Sequence, residues 1–190
     1  MTPGNVPETT SILVPTRCHI ALQLVNARSF DQIFRTLRTI NDNRAPTMML
    51  HDDQSVLRIE VFRTQPGLGE RYVAFSHVWV DGLGSTTEHG IYECQARCLA
   101  ALAEQASGVG VPWWIDSLCV PDSELHRQKS MRQLRNVYNN ATKVLVIDKA
   151  ISQCGSDSTA EDLLWAVVSS SWMQRLWIYQ ESFLATNIVV

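Results

Sequence analysis

Three short stretches of this chain are apolar almost without interruption: residues 72–79 (YVAFSHVW), 111–120 (VPWWIDSLCV, running on to Pro121 and Asp122) and 143–148 (KVLVID). Each is too brief for a globular helix and lacks the alternate polar positions of a strand with one wet face. Each therefore predicts a strand buried on both sides. A fourth apolar run, 187–190, ends the sequence. Between these runs the apolar period lengthens to that of a helix. Ile91, Cys94, Cys98, Leu99 and Leu102 stripe a helix over 90–106, and Met131, Leu134, Val137 and Tyr138 stripe another over 124–140, which Ser123 can cap. Ser158 with Glu161 is a capping-box pattern ahead of Leu163, Leu164, Trp165, Val167 and Val168. Ser171 with Gln174 repeats it for a last helix ending near Ala185.

Upstream, residues 1–10 read as a loose leader and 20–25 as a strand. Ser29 with Gln32 opens a helix carrying Ile33, Phe34, Leu37 and Ile40, which stops near Asn41-Asp42-Asn43. Residues 48–50 and 56–62 flank the polar turn His51-Asp52-Asp53-Gln54, and Leu57, Ile59 and Val61 alternate with Arg58 and Glu60, as in a hairpin at a sheet edge. Pro66-Gly67-Leu68-Gly69 interrupts the pattern. The expected organisation is an N-terminal elaboration of strand, helix and hairpin over 1–67, packed on a main unit over 68–190.

Wholly apolar strands alternating with helices predict an α/β fold, a mostly parallel sheet with right-handed crossovers and helices on both faces. Ligands of such sheets bind beyond the carboxyl ends of the strands, where strand order reverses, which points to the residues after Ser76, Asp116 and Asp148. Asp116 stands out, because a carboxylate inside an apolar run is costly unless it is paired, hydrogen-bonded or set at an open strand end.

Composition narrows the function. Sixteen basic against 19 acidic residues, a net charge of -3, make no electrostatic case for a nucleic-acid surface or an acidic-lipid anchor. Five scattered cysteines favour reduced thiols without disulfides, and no apolar run reaches membrane-spanning length, so a cytoplasmic protein is expected. Cys94 and Cys98 lie one helical turn apart, but no second ligand pair has zinc spacing, and no metal site is expected. Nothing orients Cys119 and His77 as a thiol nucleophile and its base. Arg127, Lys129, Arg132 and Arg135 lie mostly off the apolar stripe of their helix, as a solvated face or as a contact for phosphate or a partner.

In the last helix Trp172, Leu176, Tyr179 and Phe183 fall on one core stripe, while Trp177 and Glu181, one turn apart, share a different flank. Spacing leaves two readings: a solvated glutamate near a helix end with a core indole, or a partly desolvated carboxylate standing beside an aromatic surface.

The blocks YVAFSHVWVDGLG, WWIDSLCV and SSWMQRLWIYQE, in this order, resemble the three signature blocks of the fungal heterokaryon-incompatibility (HET) domain and span 72–181. HET domains are in turn distantly similar to TIR domains, a flavodoxin-like fold whose enzymatic members cleave NAD at the nicotinamide-ribose bond. The resemblance implies a TIR-like sheet and a part in programmed cell death during non-self recognition, a form of innate immunity. Trp177 and Glu181 match the TIR arrangement of a tryptophan one turn before a catalytic glutamate, which implies that Glu181 is catalytic. Ser76, His77, Trp79, Asp81, Gly82, Gly84, Asp116, Arg175 and Trp177 would bind substrate, with the glycines letting backbone approach phosphate. NAD or a related nucleotide would be substrate rather than cofactor, and self-association would accompany activation. His77 and Val80 stand where many HET sequences carry tyrosine and glycine. The alternative within the same resemblance is a non-catalytic, self-associating signalling module.

Overall fold

The computed structural model describes residues 30–42, 44–53, 56–64, 70–84, 89–155, 157–175 and 183–190. In chain order these form α1 (Phe30–Asn41), β1 (Ala45–Asp53), β2 (Val56–Thr64), β3 (Val73–His77), α2 (Glu93–Ser107), β4 (Trp113–Trp114), α3 (Asp116–Cys119), α4 (Glu124–Asn140), β5 (Lys143–Ile147), α5 (Lys149–Ser152), α6 (Ala160–Ser169) and β6 (Ile188–Val189). The strands make one sheet in the order β2-β1-β4-β3-β5-β6. β4, β3, β5 and β6 are parallel, and the β1/β2 hairpin joins antiparallel through Met48 opposite Trp113. The parallel strands thus follow the flavodoxin-like order, in which the second strand lies on one side of the first and the third and fourth on the other.

This order positions the site. From β3 the chain crosses one way through α2 to β4, then back through α4 to β5, and right-handed crossovers in opposite directions put α2 and α4 on opposite faces. α1 lies beside α4, where Lys129 Nζ donates to Asn41 Oδ1 at 2.8 Å. All five residues of β3 are buried, as cover on both faces requires. Phe75 meets Trp113 edge to face with ring centroids 6.0 Å apart, and Trp114 meets Tyr138 of α4 in the same way at 5.5 Å. Burying each such side chain stabilises the fold by roughly 1.5–3 kcal/mol. Among the described residues no helix is long and apolar enough to cross a membrane.

Several expected boundaries move. The strand expected over 72–79 stops at His77, because Trp79–Asp81 form a 3-10 turn closed by Gly82 in the left-handed region, φ 86°. The run over 111–122 is strand only at Trp113–Trp114, and from Asp116 it turns into α3, so the carboxylate begins a helical turn just past the strand. β1 continues to Asp53 opposite Val56, so His51, Asp52 and Asp53 are paired strand rather than turn. Thr159, not Ser158, caps α6, with its Oγ1 accepting from the Asp162 amide and the Thr159 amide donating to Asp162 Oδ2. Threonine one residue later can reach the N3 amide while Ser158 cannot.

The helix expected to open at Ser171 does not begin there: residues 171–174 form turns after α6. Trp172 is buried, but Phe183, expected on the same core stripe, is 90% exposed. Residues 1–10, the strand over 20–25, the Ser29 capping box, and Leu176, Trp177, Tyr179 and Glu181 lie outside the described residues.

Candidate functional site

At the carboxyl end of β3 the imidazole of His77, 2% exposed, donates from Nε2 to Asp116 Oδ1 at 2.6 Å. Two further donors reach the same carboxylate. Trp79 Nε1 lies 2.6 Å from Oδ2 and the Ser117 amide 2.7 Å from Oδ1. Burial pushes the Asp116 carboxyl up, yet the charge of His77, its hydrogen bond, the Trp79 indole and the Ser117 amide together hold it below the usual carboxylate range. A single-turn start at Asp116 explains the geometry, since it folds the Ser117 amide back onto the side chain. Asp116 keeps one-fifth of its side chain exposed, so an ionised carboxylate faces solvent from an otherwise buried cluster. His77 Nδ1 is buried with no hydrogen-bond partner among the described residues.

A second network ties the end of β5 to the segment after α6. Asp148 caps α5, its Oδ1 accepting from the amides of Ala150 and Ile151, and its Oδ2 accepts from the Trp172 amide at 2.9 Å. Trp172 Nε1 in turn donates to Ser76 Oγ at 2.6 Å. Arg175, three residues on, donates to the His77 carbonyl. The end of β3 is therefore gripped from β4 through Asp116 and from the C-terminal segment through Trp172 and Arg175.

Beside this cluster opens a cavity of about 380 Å³, within the range of small-molecule sites, roughly 300–1,000 Å³. α4 contributes Arg127, Met131, Leu134, Arg135 and Tyr138 to its wall. Trp79, Asp116 and Val120 come from the strand ends, and Arg175 and Leu184 from the C-terminal segment. Three guanidinium groups thus share one cavity with one carboxylate, over an apolar floor. This can bind an anion and present a polar ligand to Asp116.

Of the residues expected to bind substrate, Trp79, Asp116 and Arg175 line the cavity. Ser76 and His77 stand behind it as buried supports. Asp81, Gly82 and Gly84 are not among its lining residues. The Gly82 carbonyl accepts from Gln95 Nε2 at 2.8 Å, and a Cβ on Gly84 would come within 2.7 Å of the Gly90 carbonyl oxygen, so this loop is packed against its own neighbours. Trp177 and Glu181 lie outside the described residues, between Arg175 and Leu184.

Arg127 and Arg135 were legible as a polar face of α4 or a contact for phosphate or a partner, but the cavity wall they join was not. Their spacing with Met131, four residues each way, was the available signal. Cys119 is buried, donates to the Pro46 carbonyl at 3.2 Å, and burial pushes its thiol up, all of which suit packing rather than nucleophilic attack. Among the described residues no three His, Cys, Asp or Glu side chains gather closely enough to hold a metal ion.

Residues 72–158 match the family of the heterokaryon incompatibility protein (HET). The matched range takes in His77, Trp79, Asp116, Arg127, Arg135 and Asp148, and ends before Trp172 and Arg175. No curated protein and no solved structure matches the chain.

Proposed function

Because residues 72–158 match the heterokaryon-incompatibility family, we propose that the protein is a TIR-like NAD glycohydrolase whose turnover drives cell death in heterokaryon incompatibility. The observation that carries this reading is the cavity at the carboxyl ends of the parallel strands, where the ionised Asp116 and the Trp79 indole face three arginines. A flavodoxin-like strand order binds its ligand at this end of the sheet.

The reaction breaks the bond between ribose C1′ and the nicotinamide nitrogen. The bonding electron pair leaves with nicotinamide, which departs neutral. The oxygen of water bonds to C1′ and releases a proton, giving nicotinamide and ADP-ribose. Because the leaving group needs no protonation, the demand on the protein is to stabilise positive charge developing on the ribose. Glu181 supplies that negative charge and accepts hydrogen bonds from ribose hydroxyls, and Trp177 stacks on a ring. The chain on either side of this pair lines the cavity at Arg175 and Leu184. Asp116 adds a second carboxylate, of which Oδ2 already accepts from Trp79 and has a further lone pair for a ribose hydroxyl. His77 is a positioning residue that holds Asp116 in place.

Incubating the protein with NAD and following nicotinamide release tests this. Wild type is expected to turn over, and Glu181→Gln to lose activity at unchanged melting temperature. Release that survives in Glu181→Ala would sink the assignment of Glu181, and no release from a concentrated sample of wild type would sink the enzyme.

A second reading, a non-catalytic self-associating module, is favoured by one observation. Leu164, Trp165 and Val168 of α6 are 63%, 70% and 52% exposed, a row of apolar side chains one turn long. On that reading Glu181→Gln leaves cell killing intact, while Trp165→Ser abolishes both killing and assembly measured by light scattering.

A further inference from the structure

We propose that the ligand of the cavity is held by its phosphates on α4, with Arg135 as the principal contact and Arg127 and Arg175 beside it, and not by the glycine-bearing loop 81–84. The inference rests on the cavity being the substrate site and names the group recognised there, a pyrophosphate diester.

Charge supports this first. The cavity holds three arginines and one carboxylate, and that carboxylate is engaged by His77, so positive charge is in excess there. The whole chain carries -3, so the excess is local to this wall. A dinucleotide pyrophosphate carries two negative charges, and guanidinium forks bind phosphate oxygens in pairs.

Geometry supports it next. Arg127, Met131 and Arg135 recur every four residues along α4, and the two arginines stand about 12 Å apart along the axis at 1.5 Å per residue. Met131 and Leu134 lie between them, and Tyr138 one turn beyond, so cations bracket an apolar floor. Such a floor accepts a ring while its charged rim takes phosphate. Arg175 reaches the cavity from the C-terminal segment, steadied by its bond to the His77 carbonyl. Arg127 also lines a shallow groove on the outer flank of α4 and lies 4.0 Å from Asp122, which leaves Arg135 as the arginine of α4 that serves this cavity alone among the two depressions.

The glycine-bearing loop does not line the cavity, and several of its groups are engaged by near neighbours. The Gly82 amide donates to the Trp79 carbonyl, its carbonyl accepts from Gln95, and Gly84 backs onto Gly90, Ile91 and Ser117. Its glycines serve positive φ and close packing.

Calorimetric titration with three probes tests the proposal: inorganic pyrophosphate, ADP-ribose and nicotinamide riboside, which has no phosphate. Arg135→Gln should weaken pyrophosphate and ADP-ribose about tenfold, and adding Arg127→Gln about tenfold again, while nicotinamide riboside is unaffected. Arg135→Lys, which keeps the charge but loses the fork, should fall between. Melting curves of the variants should overlay wild type, since both side chains are surface groups. Equal ADP-ribose affinity in wild type and the double variant, or no binding of any phosphate probe to wild type, overturns the proposal. The reading of the enzyme fails separately. If NAD is not cleaved but arginine-dependent binding of pyrophosphate persists, the phosphate subsite stands and glycohydrolysis falls. If Arg135→Gln cleaves NAD at unchanged KM, glycohydrolysis stands and the phosphate assignment falls.

Discussion

Replacing Asp116 should expose how much of the domain's stability runs through the candidate site. Its carboxylate accepts from His77 Nε2, Trp79 Nε1 and the Ser117 amide at 2.6, 2.6 and 2.7 Å. In Asp116→Ala the His77 imidazole, 2% exposed, loses its acceptor where water does not readily replace it. A buried donor left unsatisfied costs about 1–3 kcal/mol, and the Ser117 amide adds a similar amount. Trp79 is 45% exposed, so water takes over its N–H at little cost. The expected loss is about 3–5 kcal/mol, the range for breaking one side of a buried pair. Against a total stability of roughly 5–15 kcal/mol that is a large fraction. Asp116→Asn keeps an oxygen for His77 and Ser117 but turns its amide toward the Trp79 N–H, donor against donor, and should lose about 1–3 kcal/mol. Urea unfolding reads both as a lower midpoint at unchanged slope.

The pH dependence follows from the direction of the carboxyl shift. The folded carboxyl lies below its unfolded value of about 3.9. Its ionised form therefore contributes stability that is fully present above that unfolded value and is lost as pH falls through the folded one. The gap between wild type and Asp116→Asn should be wide at pH 7 and should narrow progressively below about pH 4. A loss under about 1 kcal/mol in Asp116→Ala, or a gap equal at pH 3 and pH 7, would refute the reasoning.

Gly84→Ala forces a side chain into φ +81° with its Cβ 2.7 Å from the Gly90 carbonyl oxygen. The strain and overpacking should cost about 2–4 kcal/mol, read as a melting temperature lower by roughly 5–15 °C; an unchanged melting curve would mean the loop is not packed this way. Trp172→Phe keeps the amide bond to Asp148 but loses the donor to Ser76 Oγ, and should destabilise by about 1–3 kcal/mol in chemical denaturation; no loss would show that Ser76 is satisfied without it. Cys119, buried with its thiol pushed up, should resist a thiol reagent in the folded protein while the half-exposed Cys154 reacts, as mass mapping of the labelled cysteines would reveal. Equal rates at the two positions would contradict the packing of Cys119 against Pro46.

What the amino-acid sequence determined by itself is the kind of each element. Val73, Ala74 and Phe75, or Val144 and Leu145, have no polar alternate positions, so a strand covered on both faces follows from neighbours in the chain alone. The same holds for the stripe of α4 and for Asp116, whose charge inside an apolar run required partners. Tertiary structure decided who those partners are. His77 and Trp79 meet Asp116 across separations of 39 and 37 residues, and Ser76 meets Trp172 across 96. Periodicity reports which face of an element is buried and says nothing of the face opposite it. Hence Arg127 and Arg135 could be read as a solvated face or as a phosphate contact until tertiary structure set them in one cavity wall with Asp116 and Arg175, and Asp81 to Gly84, expected to line the substrate site, pack instead toward Gly90 and Gln95.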